Sequence, residues 1–168
     1  ISRYTKFAYF LEEIAPRHAT VTDGPDLDGL LENYASEVRQ GLMHCEVAPG
    51  LHGLRERTPD TRWLIVSGGD QNELRDVFAE RGLSELFDGG IFGSPDTKDE
   101  ILARERDTRL IREPALFLGD SKYDHQAARA AGFDFVFLSG WTEVPEWEQW
   151  AAANEITTCT DLAEFSRR

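Results

Sequence analysis

Residues 119–124 read Gly-Asp-Ser-Lys-Tyr-Asp and carry two carboxylates, Asp120 and Asp124, four positions apart. That spacing is about one helical turn, so both side chains face one crevice. Two carboxylates at such a mouth suit a hard cation such as Mg²⁺, which favours oxygen ligands and keeps several waters. A capped turn with a solvated Asp accounts for the same pair, and the Gly-Asp wording does not choose between them. The elements that must position the pair are legible around it. Ala115 to Leu118 is an apolar run that reads as a buried strand. Ser121 is a good N-cap, Lys122 to Ala131 holds strong helix formers, and Gly132 closes that helix. Phe133 to Leu138 follows as a second strand. Strand, acidic turn, helix, strand is a βαβ unit. Its sheet is parallel, and ligands bind beyond the carboxyl ends of such strands, where Asp120 sits.

Two upstream stretches could add to that crevice. Trp63 to Val66 reads as a strand ending in Ser67-Gly68-Gly69-Asp70, with a helix to Arg81 stopped by Gly82. A hydroxyl and approachable backbone N–H groups there form a natural phosphate cradle. A plain N-cap turn explains the same residues. Leu86 to Phe92 is short and Gly-rich, a clipped strand. Thr97 then caps a helix over Lys98 to Arg106. A cation in a first turn opposes the helix dipole, and the chain has only three Lys against fifteen Arg. Lys98 therefore reads either as a compact charge facing an anionic crevice or as a solvated surface Lys.

The remaining chain frames this core. Tyr4 to Ile14 and Leu30 to Leu42 carry apolar residues at helical spacing, with a loop expected over Ala15 to Pro25. Both precede the first clear strand and read as a separate helical lobe, ended by Pro49-Gly50. Leu51 to Arg57 reads as a short helix. Pro145 to Ala153 is a helix whose Trp147 and Trp150 read as core packing. Ile156 to Cys159 is a last strand, and Asp161 caps a terminal helix. The histidines show no paired spacing of the zinc kind, and His125 is expected at the surface. Cys45 has no obvious base partner.

Composition narrows the classes. The chain has 168 residues, 40% hydrophobic and 29% charged, with a formal charge of −13. That balance is globular and argues against nucleic acid or an anionic membrane as partner. Two cysteines are too few for a disulfide framework and predict a reducing cytoplasm. No stretch reads as a transmembrane helix or a signal peptide.

In chain order there is a Ser after one strand, a Lys opening a later helix, and Gly-Asp-x-x-x-Asp after another strand. This order resembles motifs two, three and four of the haloacid-dehalogenase-like (HAD) hydrolase superfamily, mostly phosphatases. The wording that carries it is LIVSGG at 64–69, GSPDTK at 93–98 and FLGDSKYD at 117–124. ISRYTKF at 1–7 is similar to cap segments of phosphoglycolate-phosphatase-like members. The resemblance implies a Rossmann-like parallel α/β sheet with a partial helical cap over residues 1–46 and a core over 47–168. It implies an Asp nucleophile that forms an aspartyl-phosphate, later hydrolysed. Ser67 and Gly68 would donate to phosphoryl oxygens, Lys98 would balance charge, and Asp120 with Asp124 would hold Mg²⁺. The substrate class would be a small phosphorylated metabolite, chosen largely by the cap.

One departure matters. The first motif of that superfamily, Asp-x-Asp behind an apolar strand, is not found. Asp26-Leu27-Asp28-Gly29 imitates it, but the residues before it are polar and broken by Gly24 and Pro25. Asp26 and Asp28 are therefore expected at a helix start. The core would lack its first strand, the shared neighbour of the strands at 63–66 and 115–118. The chain is thus expected to be a C-terminal portion of a longer protein, inactive alone, with the missing N-terminal segment as a partner. The alternatives are a non-catalytic HAD-like Mg²⁺ or phosphate-binding module or partner subunit, and a receiver-type signalling domain. Motif order disfavours the receiver, because Lys98 precedes the acidic pair.

Overall fold

The computed structural model describes residues 3–18 and 24–168. They fall into two compact units, Ile1–Cys45 and Glu46–Arg168.

The first unit is helical. α1 (Arg3–Tyr9) continues through a π-helical turn, Phe10–Ile14, into α2 (Ala15–His18). The loop expected from Ala15 thus begins later, and its residues 19–23 lie outside the described residues. The π turn explains how helix persists through Pro16. Proline lacks an N–H and crowds the carbonyl four residues back. Here the Ala15 N–H already reaches five residues back, to the Phe10 carbonyl, which loosens the ladder before Pro16. α3 (Leu27–His44) starts earlier than its apolar spacing suggests, because Asp26 caps it and accepts the Gly29 N–H at 2.9 Å. Phe7 and Tyr34 join α1 to α3 edge-to-face, with ring centroids 5.4 Å apart.

The second unit alternates strand and helix. It runs α4 (Leu51–Arg57), β1 (Leu64–Asp70), α5 (Gln71–Glu80), β2 (Gly90–Ser94), α6 (Lys98–Asp107) and β3 (Leu116–Gly119). It continues through α7 (Lys122–Ala131), β4 (Asp134–Leu138), α8 (Trp147–Ala153), β5 (Thr157–Cys159) and α9 (Leu162–Phe165). Every strand pair is parallel, as the βαβ reading requires. The strands form two sheets, β1-β2 and β3-β4-β5. Among the described residues only β4 has strand partners on both sides.

Burial follows that pairing. Phe137 on β4 is fully buried, as are Ile101 on α6 and Ala128 on α7. By contrast Leu64, Ile65 and Val66 of β1 are half-buried, and Leu116 of β3 is exposed. α6 packs against β1, β2 and α7, so it links the two sheets. The expected aromatic core forms: Phe137 meets Trp147 at 5.7 Å and Trp150 at 5.4 Å. His125 differs from its surface reading. It packs between Phe135 and Trp150, and desolvation lowers its pKa. Among the described residues no helix is long and apolar enough to cross a membrane.

Candidate active site

β3 delivers Asp120 at its carboxyl end, and the first turn of α7 delivers Asp124. Ser121 caps α7 through a reciprocal box. Its hydroxyl accepts the Asp124 N–H at 3.1 Å, while Asp124 Oδ2 accepts the Ser121 Oγ–H at 2.7 Å and N–H at 3.2 Å. This arrangement satisfies two orphan donors of the helix start and fixes the Asp124 rotamer. Asp124 is pressed against Gly119: a Cβ on Gly119 would lie 2.5 Å from Asp124 Cβ. Only glycine leaves room for that approach.

Lys98 arrives from another element. Thr97 and Glu100 form a capping box at the start of α6, and Asp99 and Glu100 offset the cost of a cation in that turn. Lys98 Nζ donates to Asp124 Oδ1, forming an ion pair with 15% and 4% of the side chains exposed. Tyr123 supports it from the side. Its ring lies 5.9 Å from Lys98 Nζ, and its hydroxyl donates to Asp99 at 2.7 Å. The solvated-Lys reading of Lys98 is thereby set aside.

Asp120 is the exposed member of the cluster. Partial desolvation, then the Asp124 charge, raise its pKa above the ordinary Asp value. Two carboxylates share one ammonium, so the cluster keeps an excess negative charge. That excess, with an all-oxygen donor set, suits a divalent hard cation. Among the described residues no group of three or more His, Cys, Asp or Glu gathers to hold a metal. Any such ion would therefore rely on this pair and on groups from elsewhere.

Ser67 and Gly68 lie on β1, where the register with β2 breaks between Val66 and Asp70. Asp70 caps α5, accepting the N–H groups of Asn72 and Glu73 at 2.9 and 3.0 Å. The N-cap explanation thus belongs to Asp70, not Ser67. Ser67 Oγ accepts the Gly69 N–H at 3.1 Å, which leaves its own proton to donate. Gly68 is exposed, with open space where a side chain would stand. The structure therefore gathers Lys98, Asp120 and Asp124 directly. Ser67 and Gly68 occupy the other sheet, linked to them through α6.

Sequence reasoning passed over Tyr123 and Thr142. Tyr123 had a signal, since it adjoins Asp124 as Asp99 adjoins Lys98. Thr142 had none: its hydroxyl donates to the Asp120 carbonyl at 2.6 Å from 22 residues away.

No family model matches the sequence. No curated protein matches it either. Solved structures do match. A HAD-superfamily hydrolase from Ehrlichia chaffeensis aligns at 18% identity and a TM-score of 0.57, covering 99% of this chain and 86% of its own. A candidate phosphoglycolate phosphatase from Lactobacillus plantarum aligns at 20% and 0.66, covering 98% and 76%. A candidate beta-phosphoglucomutase from Thermotoga maritima aligns at 14% and 0.69, covering 99% and 77%. The chain has the Rossmann-like α/β fold of the HAD-superfamily hydrolases.

Proposed function

We propose that this chain is the acid-and-lysine half of a Mg²⁺-dependent phosphomonoester hydrolase that acts on a small phosphorylated metabolite. The buried Lys98–Asp124 pair beside Asp120, at the carboxyl end of a parallel strand, carries this reading. Phosphoryl transfer requires little covalent chemistry from a protein beyond a nucleophile; it requires positioning and positive charge around the phosphoryl oxygens. Lys98 supplies that charge, held at a fixed place by Asp124 and Tyr123. Ser67 has a free hydroxyl proton and Gly68 an approachable backbone, so both suit donation to a phosphoryl oxygen. Asp120 and Asp124 would hold Mg²⁺, which neutralises developing charge on phosphoryl oxygens when bound.

In this proposal the nucleophilic Asp, which forms the aspartyl-phosphate, comes from chain outside this sequence. It stands on a strand seated against β1 and β3. The half-buried apolar residues of β1, exposed Leu116 of β3 and the edge of each strand that no described strand pairs support that placement. The 168-residue chain alone then hydrolyses no phosphate. The −13 charge goes with a small-molecule substrate rather than nucleic acid or membrane. A chain with only two cysteines, Cys45 and Cys159, too few for a disulfide framework, goes with a cytoplasmic location.

The test is turnover of p-nitrophenyl phosphate by the complete gene product with Mg²⁺. Loss of most activity in Lys98→Ala and Asp120→Asn supports the reading; unchanged activity in both refutes it. One observation favours a second reading. Asp26 caps a helix rather than ending a strand, so the Asp-x-Asp look-alike at 26–28 is not placed as a nucleophile at a sheet mouth, as a non-catalytic Mg²⁺ or phosphate-binding module would have it. Phosphate binding by the complete gene product without turnover would select that reading.

A further inference from the structure

Next to Asp120 opens a pocket of about 520 Å³, bounded by Lys122, Trp141, Glu143, Val144 and Pro145. Its wall is the loop that leaves β4. Trp147 and Trp150 bury their rings against Phe137, but Trp141 keeps 45% of its surface exposed. A large aromatic held out at a pocket rim, beside polar groups, is the composition of a ligand site.

The wall is fixed in place. The Gly140 N–H donates to the Thr160 carbonyl at 2.9 Å, and a Cβ on Gly140 would lie 2.6 Å from that oxygen. Thr142 Oγ1 accepts the Val144 N–H at 3.1 Å while donating to the Asp120 carbonyl. The Trp141 wall and the Asp120 backbone are therefore tied together, and little order has to be created on binding.

We propose that Trp141 and Glu143 bind the alcohol part of the phosphomonoester and select a polyhydroxylated ring. Part of the specificity then resides in the core loop after β4 rather than in the helical unit. The inference rests on the hydrolase reading above. The indole face, negative at its centre, takes the C–H face of a sugar ring. The Glu143 carboxylate accepts hydroxyl protons, and Lys122, which also lines the pocket, donates. A short acidic substrate such as phosphoglycolate gains nothing from the indole and meets repulsion at Glu143.

The experiment is ¹H–¹⁵N NMR titration of the complete gene product without Mg²⁺, so that no probe is turned over, using glucose 6-phosphate, phosphoglycolate, inorganic phosphate and glucose as probes. Glucose 6-phosphate should shift the Trp141 indole N–H resonance and bind at least about fivefold more tightly than inorganic phosphate. Trp141→Ala and Glu143→Gln should each remove that advantage and leave phosphate affinity unchanged. Equal affinity for glucose 6-phosphate and phosphate, or an advantage that survives both variants, overturns the proposal while the hydrolase reading stands. If inorganic phosphate perturbs neither Ser67 nor Lys98, the hydrolase reading fails instead. Glucose alone then decides the pocket: a Trp141 shift upholds it, and no shift overturns it.

Discussion

Lys98 and Asp124 stand 26 residues apart in sequence and meet as a nearly buried ion pair between the first turns of α6 and α7. The contact joins two packing units, because α6 also packs on β1 and β2 while α7 packs on β3 and β4. Breaking one side leaves a desolvated charge behind. Lys98→Met or Asp124→Asn should each cost about 3 kcal/mol in urea unfolding. The double variant should cost clearly less than the sum, since it strands no charge. Additive losses would show that the two side chains do not interact in solution.

Gly119→Ala should destabilise the core by about 1–3 kcal/mol, as overpacking does. The added Cβ meets Asp124 backed by Ser121 and Lys98, a neighbour with no room to retreat. Ser121 and Asp124 amide resonances should move with it. A variant as stable as wild type, with those resonances unmoved, would contradict the close approach.

Mg²⁺ should raise the thermal midpoint of wild type and leave Asp120→Asn unmoved, because a ligand that binds only the folded state stabilises it. Without Mg²⁺ the variant should melt at or above wild type. Asp124 opposes an ionised Asp120, and a neutral amide removes that opposition. Calorimetric melts of both proteins, with and without the ion, check the two statements together.

The carboxyl end of the chain carries a pH-dependent tether. Glu164 accepts the Thr160 N–H and an Arg168 guanidinium N–H, each at 2.8 Å. The Thr160 bond foremost, then Arg168, lowers its pKa from 4.5 to about 2. A lowered carboxylate pKa adds stability above the unfolded value and loses it as pH falls through the folded one. The stability gap between wild type and Glu164→Gln should therefore be full above pH 4.5 and close between pH 4.5 and 2. A gap independent of pH in that window would mean that the tether does not form.

Phe137→Ala should cost about 3–5 kcal/mol, because the ring is fully buried and both Trp147 and Trp150 rest on it. Near-ultraviolet circular dichroism should lose the signal of those tryptophans at the same time.

What the sequence conveyed depended on how local the cause was. Asp120, Ser121 and Asp124 sit in one strand-turn-helix, so cap, carboxylates and strand end could be read together. Lys98 was readable as an oddity, a lone cation in an acidic first turn, but its partner lies on another helix. Asp70 took the capping role that might have been given to Ser67, since an Asp one residue before the helix outcompetes a more distant hydroxyl. Pro16 misled because a π turn, which has no sequence signature here, absorbs its clash. His125 misled because Trp150, which covers it, comes from a helix 25 residues on. Thr142 reaches Asp120 from beyond the end of the adjacent strand β4, and no local pattern encodes that reach.

The pairing of β4 on both sides sets an order of opening. Its amide protons are held between β3 and β5, over the fully buried ring of Phe137. Those of β1 and β3 lie on strands with one neighbour each among the described residues and with half-buried or exposed apolar residues. In deuterated water β4 should exchange last and report the global unfolding free energy, with β1 and β3 exchanging earlier through smaller openings. The strands that bear Ser67 and lead to Asp120 are thus the soft part of the molecule. Phosphate or a docked strand would show itself first as slower exchange there, well before any product is released.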